Sequence, residues 1–163
     1  LHCKPGDLFV IRNVAALVPA VTQASNPCSV MSAIEYGVKH LNVEHIVVMG
    51  HSHCGGIHGL MTPESIAGET YIQDWVSIAS PALERLQAMT GDEDEKTRSR
   101  HCEEGAVLIS LDNLLSYPWI AERVKNGQLK LHALYYDLSE GNLYRFSPDS
   151  EDFELLFHTI ENP

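Results

Sequence analysis

The hydrophobic pattern divides the chain into short apolar runs that stop at glycine or polar residues and longer stretches with a helical repeat. Ile46 to Met49 is an unbroken apolar run ending at Gly50, which reads as a strand buried on both faces. Asp7 to Val14 (DLFVIRNV) has the same character after a Lys4-Pro5-Gly6 turn, and it predicts a second such strand whose end is marked by Arg12 and Asn13. Leu17 to Asn26 reads as a loop. Val30, Ala33, Ile34, Gly37, Val38 and Leu41 then fall at i, i+3, i+4 spacing, a helix capped at Asn26 or Ser29. Strand, helix and strand at this separation form one βαβ unit, so the two strands are expected to be parallel with a right-handed crossover.

Further along, Gly56 to Met61 predicts a short helix closed by Pro63, and Ser65 to Gly68 a loop. Thr70 to Met89 is expected to be helical, with Trp75, Ile78, Ala79, Ala82, Leu83 and Leu86 on one face and Pro81 dividing it. Gly91 to Arg100 (GDEDEKTRSR) reads as a solvated connection. Cys102 to Leu115 is a third helix with Ala106, Val107, Ile109, Ser110 and Leu114 near one face, and Pro118 starts a further helix that Gly127 ends. Leu129 to Leu138 alternates, Gly141-Asn142 makes a turn, and Leu143 to Phe146 returns antiparallel. Asp152 to Ile160 fits an edge strand or a tail.

These elements give an α/β fold, a mostly parallel sheet flanked by helices, and the 163 residues form a single domain, 1–163. Twenty-two acidic against 11 basic side chains, a net charge of −11, exclude a protein that grips phosphate backbones, so no nucleic-acid partner is expected. No apolar stretch approaches the roughly 18 residues of a membrane span, so no membrane partner is expected either. Cys3, Cys28, Cys54 and Cys102 are irregularly spaced, which suggests a reduced, cytoplasmic protein. The opening LHCKPGDLFV, a turn leading directly into a strand, reads as the middle of a domain and hence as an N-terminally incomplete one.

In an open α/β sheet the loop leaving the carboxyl end of a strand is where ligands bind, and the loop after Met49 reads GHSHCGG. His51 and Cys54 form an H-x-x-C pair, and imidazole nitrogen and thiolate sulfur are ligands that zinc favours. Gly50, Gly55 and Gly56 are expected to let the backbone turn tightly there and to expose amide donors. A cysteine phosphatase, with its H-C-x5-R loop, fits His53-Cys54 but places Leu60 where the arginine must stand. His53 and His58 read as surface or capping residues, and His40 and His45 have helix-end and strand-start explanations. Cys28 and Cys102 read as small buried residues at helix starts, and Asp112 and Asn113 as a solvated face. Arg12, closing an apolar strand, suggests a partnered charge near the site or at a subunit contact.

The segments PGDLFVIRNVA, SAIEYGVKHLNVEHIVVMGHSHCGGI and SLDNLLSYPWIAERVKNGQLKLHALYYDLSEGNLY, with a weaker match around DWVSIASPALERL, resemble the β-class carbonic anhydrases, especially the bacterial members, in order and spacing. The resemblance implies a zinc lyase that interconverts carbon dioxide and bicarbonate through zinc-bound hydroxide, assembled as homodimers or higher homo-oligomers. It maps the zinc histidine onto His51, one zinc cysteine onto Cys54, and a position beside the substrate onto Gly55. The family's other zinc cysteine lies in a C-x-D-x-R motif upstream of the PGDLF turn. That motif is absent here, and Cys3, between His2 and Lys4, does not replace it. Because the family places the missing strand between Leu8 and Ile46, the central first strand of the sheet is expected to be missing from this chain. Leu8 to Arg12 is then expected not to pair directly with Ile46 to Met49. The alternative is a truncated or degenerate, catalytically inactive scaffold that dimerises and binds zinc weakly or not at all.

Overall fold

A computed structural model of the chain describes residues 3–24, 28–89, 91 and 93–158. Its scaffold is a four-stranded sheet in the order β1 (His45–His51), β2 (Lys130–Asp137), β3 (Asn142–Ser147), β4 (Asp152–Phe157). The sheet is mixed: β1 and β2 run parallel, with Val47 opposite His132 and Gly50 opposite Tyr135, and β3 and β4 extend it antiparallel. Parallel neighbours need a long crossover, and here the helices between β1 and β2 supply it. The antiparallel partners are joined by the Gly141-Asn142 turn and a turn before Asp152, so Asp152 to Phe157 is an edge strand.

One face of the sheet packs on helices. α1 (Ser29–Lys39), α5 (Glu95–Leu115) and α6 (Pro118–Lys125) bring Ile34, Val38, Val107, Leu114 and Ile120 against Val48, Ala133, Tyr135 and Phe153. A second apolar cluster joins α2 (Gly55–Met61), α3 (Thr70–Val76) and α4 (Ser80–Ala88) to Cys102 and Ala106 of α5. The opposite face of β1 is bare, with Val47 and Met49 about half exposed. Among the described residues β1 pairs with β2 alone, so its other edge offers an open row of backbone groups.

Three expectations need correction. Asp7 to Val14 is not a strand: it makes no ladder, and Leu8, Phe9, Val10 and Ile11 are all exposed. An apolar run becomes a strand only beside a partner, and this segment instead runs past α1, where Phe9 contacts the Gly37 position and tilts on Tyr36. Leu8 to Arg12 accordingly does not pair with Ile46 to Met49. Second, the polar run is not all connection, because α5 starts at Glu95, seven residues before Cys102. Asp94 caps it by accepting a bond from the Thr97 amide at 2.7 Å. Third, Ser65 lies in a 3-10 turn, Pro63–Ile66, rather than a loop. Thr70 to Met89 divides as expected, with a 3-10 turn Ser77–Ala79 before Pro81 at the start of α4. Of the two expected caps, Asn26 lies outside the described residues, and Ser29 is the first residue of α1, with Cys28 at the cap position and no side-chain cap bond. No helix among the described residues is long and apolar enough to cross a membrane.

Candidate metal centre

The loop after β1 holds the candidate ligands. His51 is the last residue of β1 and half-buried; Cys54 is buried, 6% exposed, and precedes the first residue of α2. The turn between them is fixed at Ser52, whose amide donates to Tyr136 O at 2.9 Å and whose Oγ accepts from Leu138 N at 2.8 Å, both on the neighbouring strand's exit. The sharp change of direction falls on His53, at φ 57°. That corrects the reading of the glycines: none of Gly50, Gly55 and Gly56 lies at positive φ.

Gly50 and Gly56 are there for close packing. A Cβ on Gly50 would lie 2.5 Å from Val107 Cγ2, and one on Gly56 2.8 Å from Val14 Cγ1. Gly55 differs, because a Cβ there would meet nothing within 4 Å, so the space beside it is open.

His51 Nδ1 lies 2.9 Å from the Ser52 carbonyl oxygen. A carbonyl only accepts, so Nδ1 is the donor, which leaves Nε2 as the nitrogen a metal would take. The Cys54 amide donates to Glu103 Oε1 at 2.9 Å, and Tyr135 Oη donates to Glu103 Oε2 at 2.7 Å. Burial first, and then the Glu103 carboxylate, hold the Tyr135 phenol well above its ordinary range, so it remains a donor. The two donors the loop presents, an imidazole nitrogen and a cysteine sulfur, therefore fit zinc in kind. They do not complete a site: the described residues contain no group of three His, Cys, Asp or Glu side chains able to hold a metal. A structural or catalytic zinc takes at least three protein ligands.

The other singled-out residues lie elsewhere. His53 Nε2 meets Ser139 Oγ at 3.0 Å and is exposed; His58 is exposed on α2, and His40 caps α1 stacked on Tyr36. His45 opens β1 and pairs with His132 at 2.9 Å, nitrogen to nitrogen. Cys102 is not at a helix start but two turns into α5 and fully buried, where burial and then the Glu103 charge push its thiol up to about 11. Asp112 is exposed as expected, whereas the Asn113 amide donates to Val18 O at 2.8 Å. Arg12 is exposed and in no ion pair among the described residues, so the expected charge partner is not found among them. Leu60, which excludes the phosphatase, is core.

Glu103 escaped the sequence reading. Its signal was position: three and four residues before Ala106 and Val107, it falls in their buried stripe.

The fold and this loop can be set beside known proteins. The family model described as carbonic anhydrase matches residues 1–143. β carbonic anhydrase 5, chloroplastic, of Arabidopsis thaliana is 39% identical over 150 residues, covering 91% of this chain and 49% of that protein. The mitochondrial β carbonic anhydrase 6 of the same plant is 39% identical over 157 residues, covering 94% and 53%. The chain thus spans about half the length of these relatives. Among solved structures, the β-carbonic anhydrase CcaA superposes with a TM-score of 0.87 at 29% identity, covering 93% of this chain and 73% of its own. A structure from a study of two tetrameric β-carbonic anhydrases of Sordaria macrospora superposes at 0.71 with 32% identity, covering 88% and 70%. With the parallel β1–β2 pair and its helical crossover, the strand-end histidine and cysteine, and a family match over most of its length, the chain belongs to the β class of the carbonic anhydrases.

Proposed function

We propose that this chain supplies His51 and Cys54 as two ligands of a zinc-dependent carbonic anhydrase that interconverts carbon dioxide and bicarbonate. The observation that carries the reading is the loop after β1, which places an imidazole held through Nδ1 and a buried cysteine sulfur at the carboxyl end of a parallel strand. A zinc ion held by these residues would supply the Lewis acidity that makes a water-derived nucleophile available near neutral pH. The protein's own residues prepare the place. Ser52 O fixes the His51 tautomer, Ser52 ties the loop to the exit of β2, and Glu103 holds the Cys54 backbone. The open space at Gly55 leaves room for a small substrate beside Cys54.

Because the described residues bring no third donor to His51 and Cys54, we take it, as the family resemblance implies, from a C-x-D-x-R segment. The unpaired edge and bare face of β1 support a strand or a second copy covering them, and with it a homodimer or higher homo-oligomer. Four free cysteines agree with a reduced compartment, which we take to be the cytoplasm. The names of the matched relatives favour catalysis over an inactive scaffold. The test is zinc per chain together with carbon dioxide hydration, for the chain alone and joined to a segment bearing the C-x-D-x-R motif. The joined protein is expected to hold near-stoichiometric zinc and hydrate rapidly, the chain alone to do both weakly, and His51→Ala or Cys54→Ser to weaken zinc binding and abolish hydration. Zinc and activity that survive both substitutions would overturn the proposal.

A further inference from the structure

Glu103 is a carboxylate only 5% exposed, in a stripe of apolar side chains on α5. A buried carboxylate is tolerated where hydrogen bonds satisfy it. Here its two oxygens reach two elements: Oε1 accepts from the Cys54 amide at the end of the loop, and Oε2 from Tyr135 Oη on β2. Tyr135 sits directly opposite Gly50 in the β1–β2 register, one residue before His51. The carboxylate thus bridges α5, β2 and the residue that follows the β1 turn. Gly50 brings α5 close enough for this, since Val107, one turn after Glu103, fills the space where a side chain at 50 would stand.

We propose that Glu103 is a positioning residue for the metal loop, fixing the Cys54 backbone, and through it the thiol, before any metal binds. Its use in metal binding rests on the zinc reading above; the hydrogen bond itself does not. A group that only stabilised the fold would protect all of the core amides alike. A positioning group protects the Cys54 amide in particular, and a neutral acceptor of the same shape replaces it.

The test is amide hydrogen exchange at Cys54 in the metal-free chain, with zinc retention against a weak chelator as a second readout. Glu103→Leu is expected to speed exchange at Cys54 about tenfold relative to amides of β1, the effect of losing a buried acceptor. Glu103→Gln, which keeps one carbonyl oxygen, is expected to restore most of that protection. Tyr135→Phe is expected to lower global stability while leaving Cys54 protected relative to β1. Unchanged exchange in Glu103→Leu, or the same local loss in Tyr135→Phe, overturns the proposal. If Glu103→Leu does not fold, the scalar coupling across the hydrogen bond, from the Cys54 nitrogen to the Glu103 carboxyl carbon in the unsubstituted chain, decides: its absence overturns the proposal. Should the chain joined to a C-x-D-x-R segment retain no zinc, the zinc reading fails while the exchange result still decides the role of Glu103.

Discussion

Gly50→Ala tests whether the ligand strand is seated by direct contact with α5. The new Cβ would lie 2.5 Å from Val107 Cγ2, about 1–1.5 Å inside the roughly 3.5–4.0 Å at which two carbons rest. Val107 cannot easily yield, because a β-branched side chain inside a helix has essentially one χ1 rotamer and this one is 1% exposed. The strand or the helix must move instead, at a cost of about 1–3 kcal/mol for overpacking. Val107→Ala alone removes two buried methyl groups and should cost about 2 kcal/mol. In the double variant the added methyl occupies part of the emptied space, so its stability should stay near that of Val107→Ala. The two effects would then fall short of additivity by about 1–3 kcal/mol. Urea unfolding of the four proteins measures this, with equal slopes confirming a common unfolded reference. Costs that add to within about 0.5 kcal/mol would refute the contact. The same series should show zinc retention falling in Gly50→Ala and recovering in the double variant, since Gly50 precedes His51.

Other outcomes follow from the same geometry. Ala15 stands at φ 60° in the turn beside Gly56, so Ala15→Gly should raise stability by about 1 kcal/mol in urea unfolding, and a loss would contradict the strain. Tyr117 Oη donates to Pro19 O at 3.0 Å in the core, and Tyr117→Phe should cost about 1–3 kcal/mol by leaving that carbonyl unpaired. Under iodoacetamide near pH 8, exposed Cys3 should label first and Cys102, buried and with its thiol pushed up to about 11, last, as read by peptide mass spectrometry. His132 is held below the usual histidine range by burial first, and then by His45, Arg145 and Lys130. The unfolded chain therefore binds its proton more readily, so this group's contribution is present above the ordinary histidine range and is lost as pH falls through it. His132→Gln should flatten the decline in stability between about pH 7.5 and 5.5.

What the sequence disclosed was whatever is decided locally. The run before Gly50 had to be a strand, and Pro118 and Gly127 bracket α6 by their own backbone limits. The pair His51 and Cys54 was visible because a strand end followed by ligand-type residues is a local pattern. Asp7 to Val14 misled because its apolar character says it wants a partner, while only the tertiary arrangement says whether one is adjacent. The first turns of α5 were hidden by charge: a solvated helix start carries no apolar stripe, and the signal was the Asp94 cap three residues before Thr97. Glu103 was hidden for the opposite reason, as a charged residue inside an apolar stripe whose partners lie 49 and 32 residues away.

Zinc K-edge X-ray absorption on the chain joined to a C-x-D-x-R segment and loaded with excess zinc, compared with Cys54→Ser and His51→Ala, bears most directly on the central claim that these two residues hold the metal. The loop geometry predicts imidazole nitrogen at about 2.0–2.1 Å and sulfur at about 2.3 Å, with the sulfur signal reduced in Cys54→Ser and the imidazole signal reduced in His51→Ala. A shell without sulfur, or one that neither substitution changes, would contradict it.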